Sequence, residues 1–506
     1  MMTRRLLPCL FLFLLSFQTG ARTKEIAIHS QEAFDALPTL LSASLDAGYE
    51  EIVVRFDPGT FYFGDRLLRL DGLTFPQTRL RFIGQGTTLT AQGEDLRDGD
   101  RLESPLESGT GVICDSADVF LWSKLFQADA KVQVIDKEKR HCRIKCRAIR
   151  KDMAGDLSSC HILLTEWYLS KMMKVTGIED GAVYFTADEE LDFLNADYSY
   201  ASLFPRFKLL NTLDAPFFVR DGIVHLSPGM RTVHVCRAGR LLSAYDASFK
   251  SIEITGFTFL GNKDNVFALM DFTQTQTEKI SISRCEFCGL RSKLVQVAYS
   301  PHFSFTDNRI HDCYHGGVNS LQSAQTRVTD NVFHNVGLAM SNDFCITCSG
   351  EDYLISHNQI SDFGYGGICV GLHYTIPRKG KITGTVRDNE LWYTEPYYAD
   401  YPSHTLMDSG AIYAGTQHDR SVIRDNSIHD YIGMKHNRGI FLDDGASHVL
   451  VIYNTILRVP NSWSIDSRLV KEVVTLPGSQ VKEANVGNLI YGNCVDGIIR
   501  FEKNRH

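Results

Sequence analysis

The apolar positions of this chain fall into one register that recurs through its second half. Six asparagines mark it: Asn308, Asn331, Asn358, Asn389, Asn426 and Asn454. Three places before each stands an apolar residue: Phe305, Val328, Ile355, Val386, Ile423 and Val451. Two places after each stands another: Ile310, Phe333, Ile360, Leu391, Ile428 and Ile456. Two earlier copies, Ile254/Phe257/Phe259 and Ile282/Cys285/Phe287, keep the apolar columns and lose the Asn. The centres lie 23 to 37 residues apart, the spacing of stacked solenoid coils. Apolar residues at −3 and +2 about a polar corner do not trace one face of an α-helix, whereas two short strands joined by a corner match the pattern. So small a unit cannot bury its apolar face alone and has to stack on its neighbours, strand over strand at about 4.8 Å. The register therefore predicts a parallel β-solenoid. The corner Asn has a structural explanation: Asn tolerates left-handed backbone, bonds its own turn, and can bond along a stack of like amides.

Outside the register the chain divides as follows. Residues 22–94 read as an N-terminal cap and the first coils, with strands near Glu25–His29 and Glu51–Phe56 and a helix from Ser30 to Ala47 between them. A terminal cap of this kind shields the open apolar end of a solenoid. Residues 95–245 lose the repeat and read as an inserted β-rich domain; residues 246–506 carry the main solenoid.

Residues 1–21 read as a secretory signal, with Arg4 and Arg5 ahead of the apolar stretch Leu6 to Phe17. A secreted or periplasmic protein is expected, with no membrane span, because that apolar stretch is too short to cross a bilayer. Of 506 residues 43% are hydrophobic and 22% charged, as in ordinary soluble proteins, and the net charge of −8 argues against a nucleic-acid partner. The oligomeric state is not legible. The pairs Cys285/Cys288 and Cys345/Cys348 have zinc-ligand spacing but fall on separate coils. Neither metal nor cofactor is expected, and most of the cysteines read as buried thiols.

Two coils concentrate candidate chemistry. One runs from Asp408 through Gly410-Ala411-Ile412-Tyr413 to Gln417, the other from Arg438 through Gly439-Ile440-Phe441-Leu442 to Asp443-Asp444. Gly410 and Gly439 stand 29 residues apart, one coil, and by this alignment Asp443 meets Ala414 and Asp444 meets Gly415. Gly317 and Gly367 open the matching strands earlier in the chain. Adjacent carboxylates repel and one can stay protonated, which suits glycoside cleavage by a protonated acid beside an ionised base or nucleophile. Asp-Gly at a strand end is also an ordinary turn. Around these coils, His315, His373, Tyr374, Glu395, Tyr413, Gln417 and His418 are polar groups that can line a groove, walled by the insertions 371–384 and 390–408. His311, His334 and His429 share one position after the corner and read as turn residues.

The pairing of Asp-x-Gly-Ala-Ile-Tyr with Gly-Ile-Phe-Leu-Asp-Asp-Gly resembles carbohydrate-active right-handed parallel β-helix proteins. It is most similar to β-helix glycoside hydrolases of the fucosidase/xylanase type, as is the segment from Leu210-Asn211 to Phe218. The resemblance implies an all-β, right-handed parallel β-helix with an inserted β-rich domain. It implies a hydrolase whose catalytic carboxylates are Asp408 with Asp443 or Asp444, and whose substrate is an oligo- or polysaccharide. Its family pattern often carries an Asp shortly after Gly-Ala-Ile-Tyr, where this chain has Gln417. Two other classes remain open: a polysaccharide lyase or epimerase, which needs cations to neutralise a uronate, and a glycan-binding solenoid without catalysis.

Overall fold

A computed structural model describes residues 22–64, 67–107, 111–114, 127–129, 132–136, 138–166, 169–187, 206–211, 213, 217–263, 268–337, 343–371, 381–394, 410–431, 438–459, 465–467, 487–496 and 498–502. Within them, one sheet of parallel strands winds through the chain coil by coil. The −3 apolar column is continuous from the first coil to the last. It begins Ile26, Val54, Phe82 and Ile254, passes through Ile282, Phe305, Val328, Ile355, Val386 and Ile423, and ends Val451, Ile490. The +2 column stacks likewise, from Phe61 and Leu89 to Ile456 and Val495. From Ile254 to Val451 these positions are almost wholly buried, and each side chain so buried contributes about 1.5–3 kcal/mol.

Each coil of the main solenoid presents three strands. In one coil they are Tyr353–Ser356, Gln359–Ser361 and Gly366–Val370. The third strand builds the face that carries the candidate chemistry. It stacks Val318–Leu321, Phe344–Ser349, Gly366–Val370 and the leading parts of Gly410–Arg424 and Arg438–Ile452.

The Asn ladder is a bonded column. The Asn331 carbonyl oxygen Oδ1 accepts from the Asn308 backbone N–H at 2.9 Å and from its amide at 3.1 Å. The same pair of bonds repeats through Asn358, Asn389, Asn426 and Asn454. The column runs one rung beyond the sequence reading, to Asn493. Left-handed backbone falls on the residue before each Asn (Asp307, Asp330, His357, Asp388, Asp425 and Tyr453) and not on the Asn itself. The amide reaches along the axis, and in Asn389, Asn426 and Asn454 its Nδ2 also donates to the carbonyl two residues earlier in its own turn, at 3.0, 3.0 and 3.2 Å.

At the start of the chain the expected helix is two: Gln31–Asp35, capped by the Ser30 hydroxyl accepting from Ala33 N–H at 3.2 Å, and Leu37–Asp46, which opens with Pro38 in its first turn. Proline suits a first turn because its missing N–H would have no partner there. Leu37, Leu41 and Leu45 are buried in the same core as Ile26 and Val54. Between the early and main coils the strands pair antiparallel. Seven of them from Gln127–Asp129 to Arg206–Leu210 form a separate sheet, and Val233–Cys236 pairs with Gln92–Leu96. The chain rejoins the solenoid at Leu242–Ser243, which lies between Leu68–Arg69 and Met270–Thr273. Among the described residues the cysteines are free, and no helix is long and apolar enough to cross a membrane.

Candidate active site

Alternation along the third strand sends Ile368, Ile412 and Ile440 inward and their successors Cys369, Tyr413 and Phe441 outward; the two sets are in register coil to coil. The outward set is nevertheless buried, and with Phe344 and Tyr365 it forms a small apolar cluster apart from the core. The Phe344 ring lies 5.3 Å from Tyr365 and 5.8 Å from Tyr413, and Tyr413 meets Phe441 edge-on at 5.4 Å. Gly366 makes room for Phe344, since a methyl there would collide with its ring. Arg438, in register with Gly410, is buried with its guanidinium 3.9 Å over the Phe441 ring.

Asp443 stands two residues past Phe441 on the same face and is only 5% exposed. The Tyr413 hydroxyl donates to its Oδ2 at 3.4 Å. The expected alignment is corrected here. Asp443 pairs with Gly415, not Ala414, because Gly410 meets Arg438 and Gly439 follows one place later. Aligning the two glycines would have set Ile412 against Phe441 and turned one whole strand over, since a one-residue slip exchanges faces. Ile412 and Ile440 share the solenoid core while Tyr413 and Phe441 share the outer cluster, and that division decides the register. In the coil before Gly415 the same column holds Gly371, at φ +80°. A Cβ there would overlap the Gly415 carbonyl oxygen and stand 2.8 Å from His418 Nε2. The Asp443 carboxylate is thus flanked on one side by two coils of bare backbone.

The remaining sequence candidates separate. Asp408, His373, Tyr374 and Glu395 lie outside the described residues, as do most of the two insertions. The backbone of Gln417 pairs with Ser447 and that of Asp444 continues the strand of Asp443, but their side chains lie outside the description. His418 is not a groove residue: it is buried, with Nδ1 on the Ser421 hydroxyl at 2.7 Å and Nε2 on the Gly415 carbonyl at 3.1 Å. Trp392 belongs to the strand Glu390–Trp392 on the second face, stacked on His429. His311, His334 and His429 are strand residues in the same outward column rather than turn residues.

His315 is not brought to Asp443. It enters the same face four coils earlier, about 19 Å away along the axis at about 4.8 Å per coil. Its Nδ1 lies 2.6 Å from Asp343 Oδ2, and Lys293 Nζ lies 3.5 Å from the other oxygen. Burial alone would raise the Asp343 carboxyl; the charges of Lys293 and His315 outweigh it and hold the group down to about 2.

Sequence reasoning missed Asp343 and the aromatic cluster, and gave Arg438 no role. It also passed over Asp466, whose strand Ile465–Ser467 adds the next coil, with Asp466 in register with Phe441. One coil and two residues separate the Asp443 and Asp466 backbones, about 8 Å at ordinary strand spacings.

Comparison with known proteins places the architecture. Residues 294–505 match the family described as "Right handed beta helix region". A solved structure named "Glycoside hydrolase" superposes over 94% of this chain and 96% of its own at a TM-score of 0.55 and 11% identity. One titled "The complex structure of XylC with xylose" covers 94% of this chain and 86% of its own at a TM-score of 0.40 and 9% identity. No curated protein matches the chain in sequence. The continuous parallel columns, the family match and the first of these superpositions agree that the chain folds as a right-handed parallel β-helix.

Proposed function

We propose that the protein is a secreted glycoside hydrolase that cleaves a plant or host glycan on the third face of its C-terminal coils. The observation that carries this reading is Asp443: a carboxylate 5% exposed, held by the Tyr413 hydroxyl, beside bare backbone at Gly415 and Gly371. Neither Gly415 nor Gly371 places a side chain beside this acid. The rings of Tyr413 and Phe441 and the Arg438 guanidinium border the same spot. The shared architecture with a structure named a glycoside hydrolase is consistent with this reading.

Hydrolysis needs a second carboxyl group about 5–9.5 Å from the first. Asp466, in register with Phe441 on the next coil, is the candidate that backbone register offers, and Asp408 and Asp444 are the alternatives that the sequence resemblance implies. In this scheme one carboxyl protonates the departing glycosidic oxygen, and the other attacks the anomeric carbon or activates water. The residues do not choose the sugar, the linkage or the stereochemical outcome.

The test is incubation of the purified protein with a glycan panel. New reducing ends without an unsaturated product are expected, and Asp443→Asn should lose at least about a hundredfold in kcat, the scale of one proton-transferring group, while keeping its circular dichroism. Asp466→Asn, Asp408→Asn and Asp444→Asn then identify the partner. Ultraviolet absorbance from a new double bond would make the enzyme a lyase. Binding without products, or full turnover by Asp443→Asn, would overturn the proposal.

A further inference from the structure

On the second face, away from Asp443, two adjacent coils bring a thiol, an imidazole and two carboxylates together. The strand Glu286–Cys288 lies directly under Arg309–Cys313, with Cys288 in register with His311. The Cys288 thiol, a His311 ring nitrogen and an Asp312 carboxylate oxygen all fall within 4.8 Å of one another, and all three residues are half-buried. His311 Nδ1 lies 2.7 Å from Asp312 Oδ2, and its Nε2 lies 3.2 Å from Glu286 Oε1. Asp312 is itself held: its backbone is left-handed at φ +55°, and the Asn335 amide donates to its other oxygen at 2.6 Å.

We propose that Cys288, His311 and Asp312 form a binding site for a thiophilic divalent ion of the zinc class, with Glu286 on the other ring nitrogen orienting the imidazole. Three features point to it. First, a carboxylate on the far ring nitrogen, here Glu286 on Nε2 at 3.2 Å, is the arrangement that orients metal-ligating histidines. Second, the Cys288 sulfur, a His311 ring nitrogen and an Asp312 oxygen already converge within 4.8 Å of one another, a spread that small side-chain rotations close to the ligand spacing of one ion. Third, thiolate and imidazole select zinc-like ions, whereas calcium and magnesium take oxygen ligands. On binding, the thiol gives up its proton to solvent and the sulfur becomes a ligand. The ion would join two successive coils of the solenoid.

The chain supplies its own control farther along the column. Around His429 the same contacts recur, with Nε2 at 3.3 Å from Glu390 and Nδ1 at 2.8 Å from Asp430, but Trp392 occupies the place of the thiol. An imidazole between carboxylates is therefore an ordinary surface pattern in this fold, and the thiol at Cys288 is what distinguishes the first site.

The experiment titrates Co²⁺ into the chelator-treated full chain. One equivalent should bind with a thiolate-to-cobalt charge-transfer band in the near ultraviolet, displaced by Zn²⁺ and not by Mg²⁺ or Ca²⁺. Cys288→Ser should abolish the band, His311→Gln should weaken binding at least tenfold, and His429→Gln should change neither. If Cys288→Ser does not fold, His311→Gln carries the test alone. A band that survives in Cys288→Ser, binding unaffected by His311→Gln, or no cobalt binding by the wild type would overturn the site.

Discussion

Replacing Asn358 by Ala takes one rung from the buried amide ladder. The Asn358 side chain makes four hydrogen bonds: Oδ1 accepts from Asn331 N–H at 3.1 Å and from its amide at 2.9 Å, and Nδ2 donates to the Val328 carbonyl and to Asn389 Oδ1, each at 2.9 Å. After truncation the Asn331 amide still has the Phe305 carbonyl, and Asn389 Oδ1 still has the backbone N–H of residue 358. The Asn331 backbone N–H loses its partner. Leaving one buried donor unsatisfied costs about 1–3 kcal/mol, and three further bonds at about 0.5–1 kcal/mol each bring the loss to about 2.5–6 kcal/mol. Asn358→Asp separates the bonds from the shape. It keeps the accepting oxygen but faces a second oxygen toward Val328 O and Asn389 Oδ1, so at neutral pH it should cost more than Ala. Its folded-state pKa is then raised, so the penalty should shrink as pH falls and the carboxyl becomes a donor. Urea midpoints at unchanged m-value measure the loss, and hydrogen exchange around Asn331 localises it. A loss under about 0.5 kcal/mol for Asn358→Ala, the range of an ordinary surface substitution, would refute the reasoning. So would an Asp variant as stable as the wild type at neutral pH.

Gly371→Ala should destabilise by about 2–4 kcal/mol and reduce turnover with it, through left-handed backbone and overlap with the Gly415 carbonyl; an unchanged melting temperature would contradict the packing described. Asp343 is ionised in the fold down to about pH 2, below the usual Asp value near 3.9. Its contribution, about 2 kcal/mol, is present above that usual value and is lost as pH falls from about 4 toward 2. Asp343→Asn should therefore be less stable than wild type at neutral pH, with the gap closing across that window in acid-unfolding curves; a gap independent of pH would count against the Lys293–His315 arrangement.

The coil columns were legible because solenoid stacking is local and periodic: each apolar position needs only its counterpart one coil away, so Ile282, Phe305, Val328 and Ile355 announce themselves by spacing alone. The last rung at Asn493 carries the same pattern, Ile490 before and Val495 after, and escaped notice because 39 residues separate it from Asn454. The sequence by itself determined the solenoid, its two main apolar columns and the Asn column at its corners, and it offered Asp408 with Asp443 or Asp444 as candidate carboxylates without choosing among them. Only the tertiary structure decided the register of the third strand, where glycines mislead and the division between solenoid core and outer cluster rules. It also decided that Tyr413 reaches Asp443 while His315 turns to Asp343, and that Cys288 meets His311. The physical reason is that outward-facing residues take no part in the apolar periodicity. Their partners are set by coil length and corner geometry, and neither leaves a repeating mark in the chain.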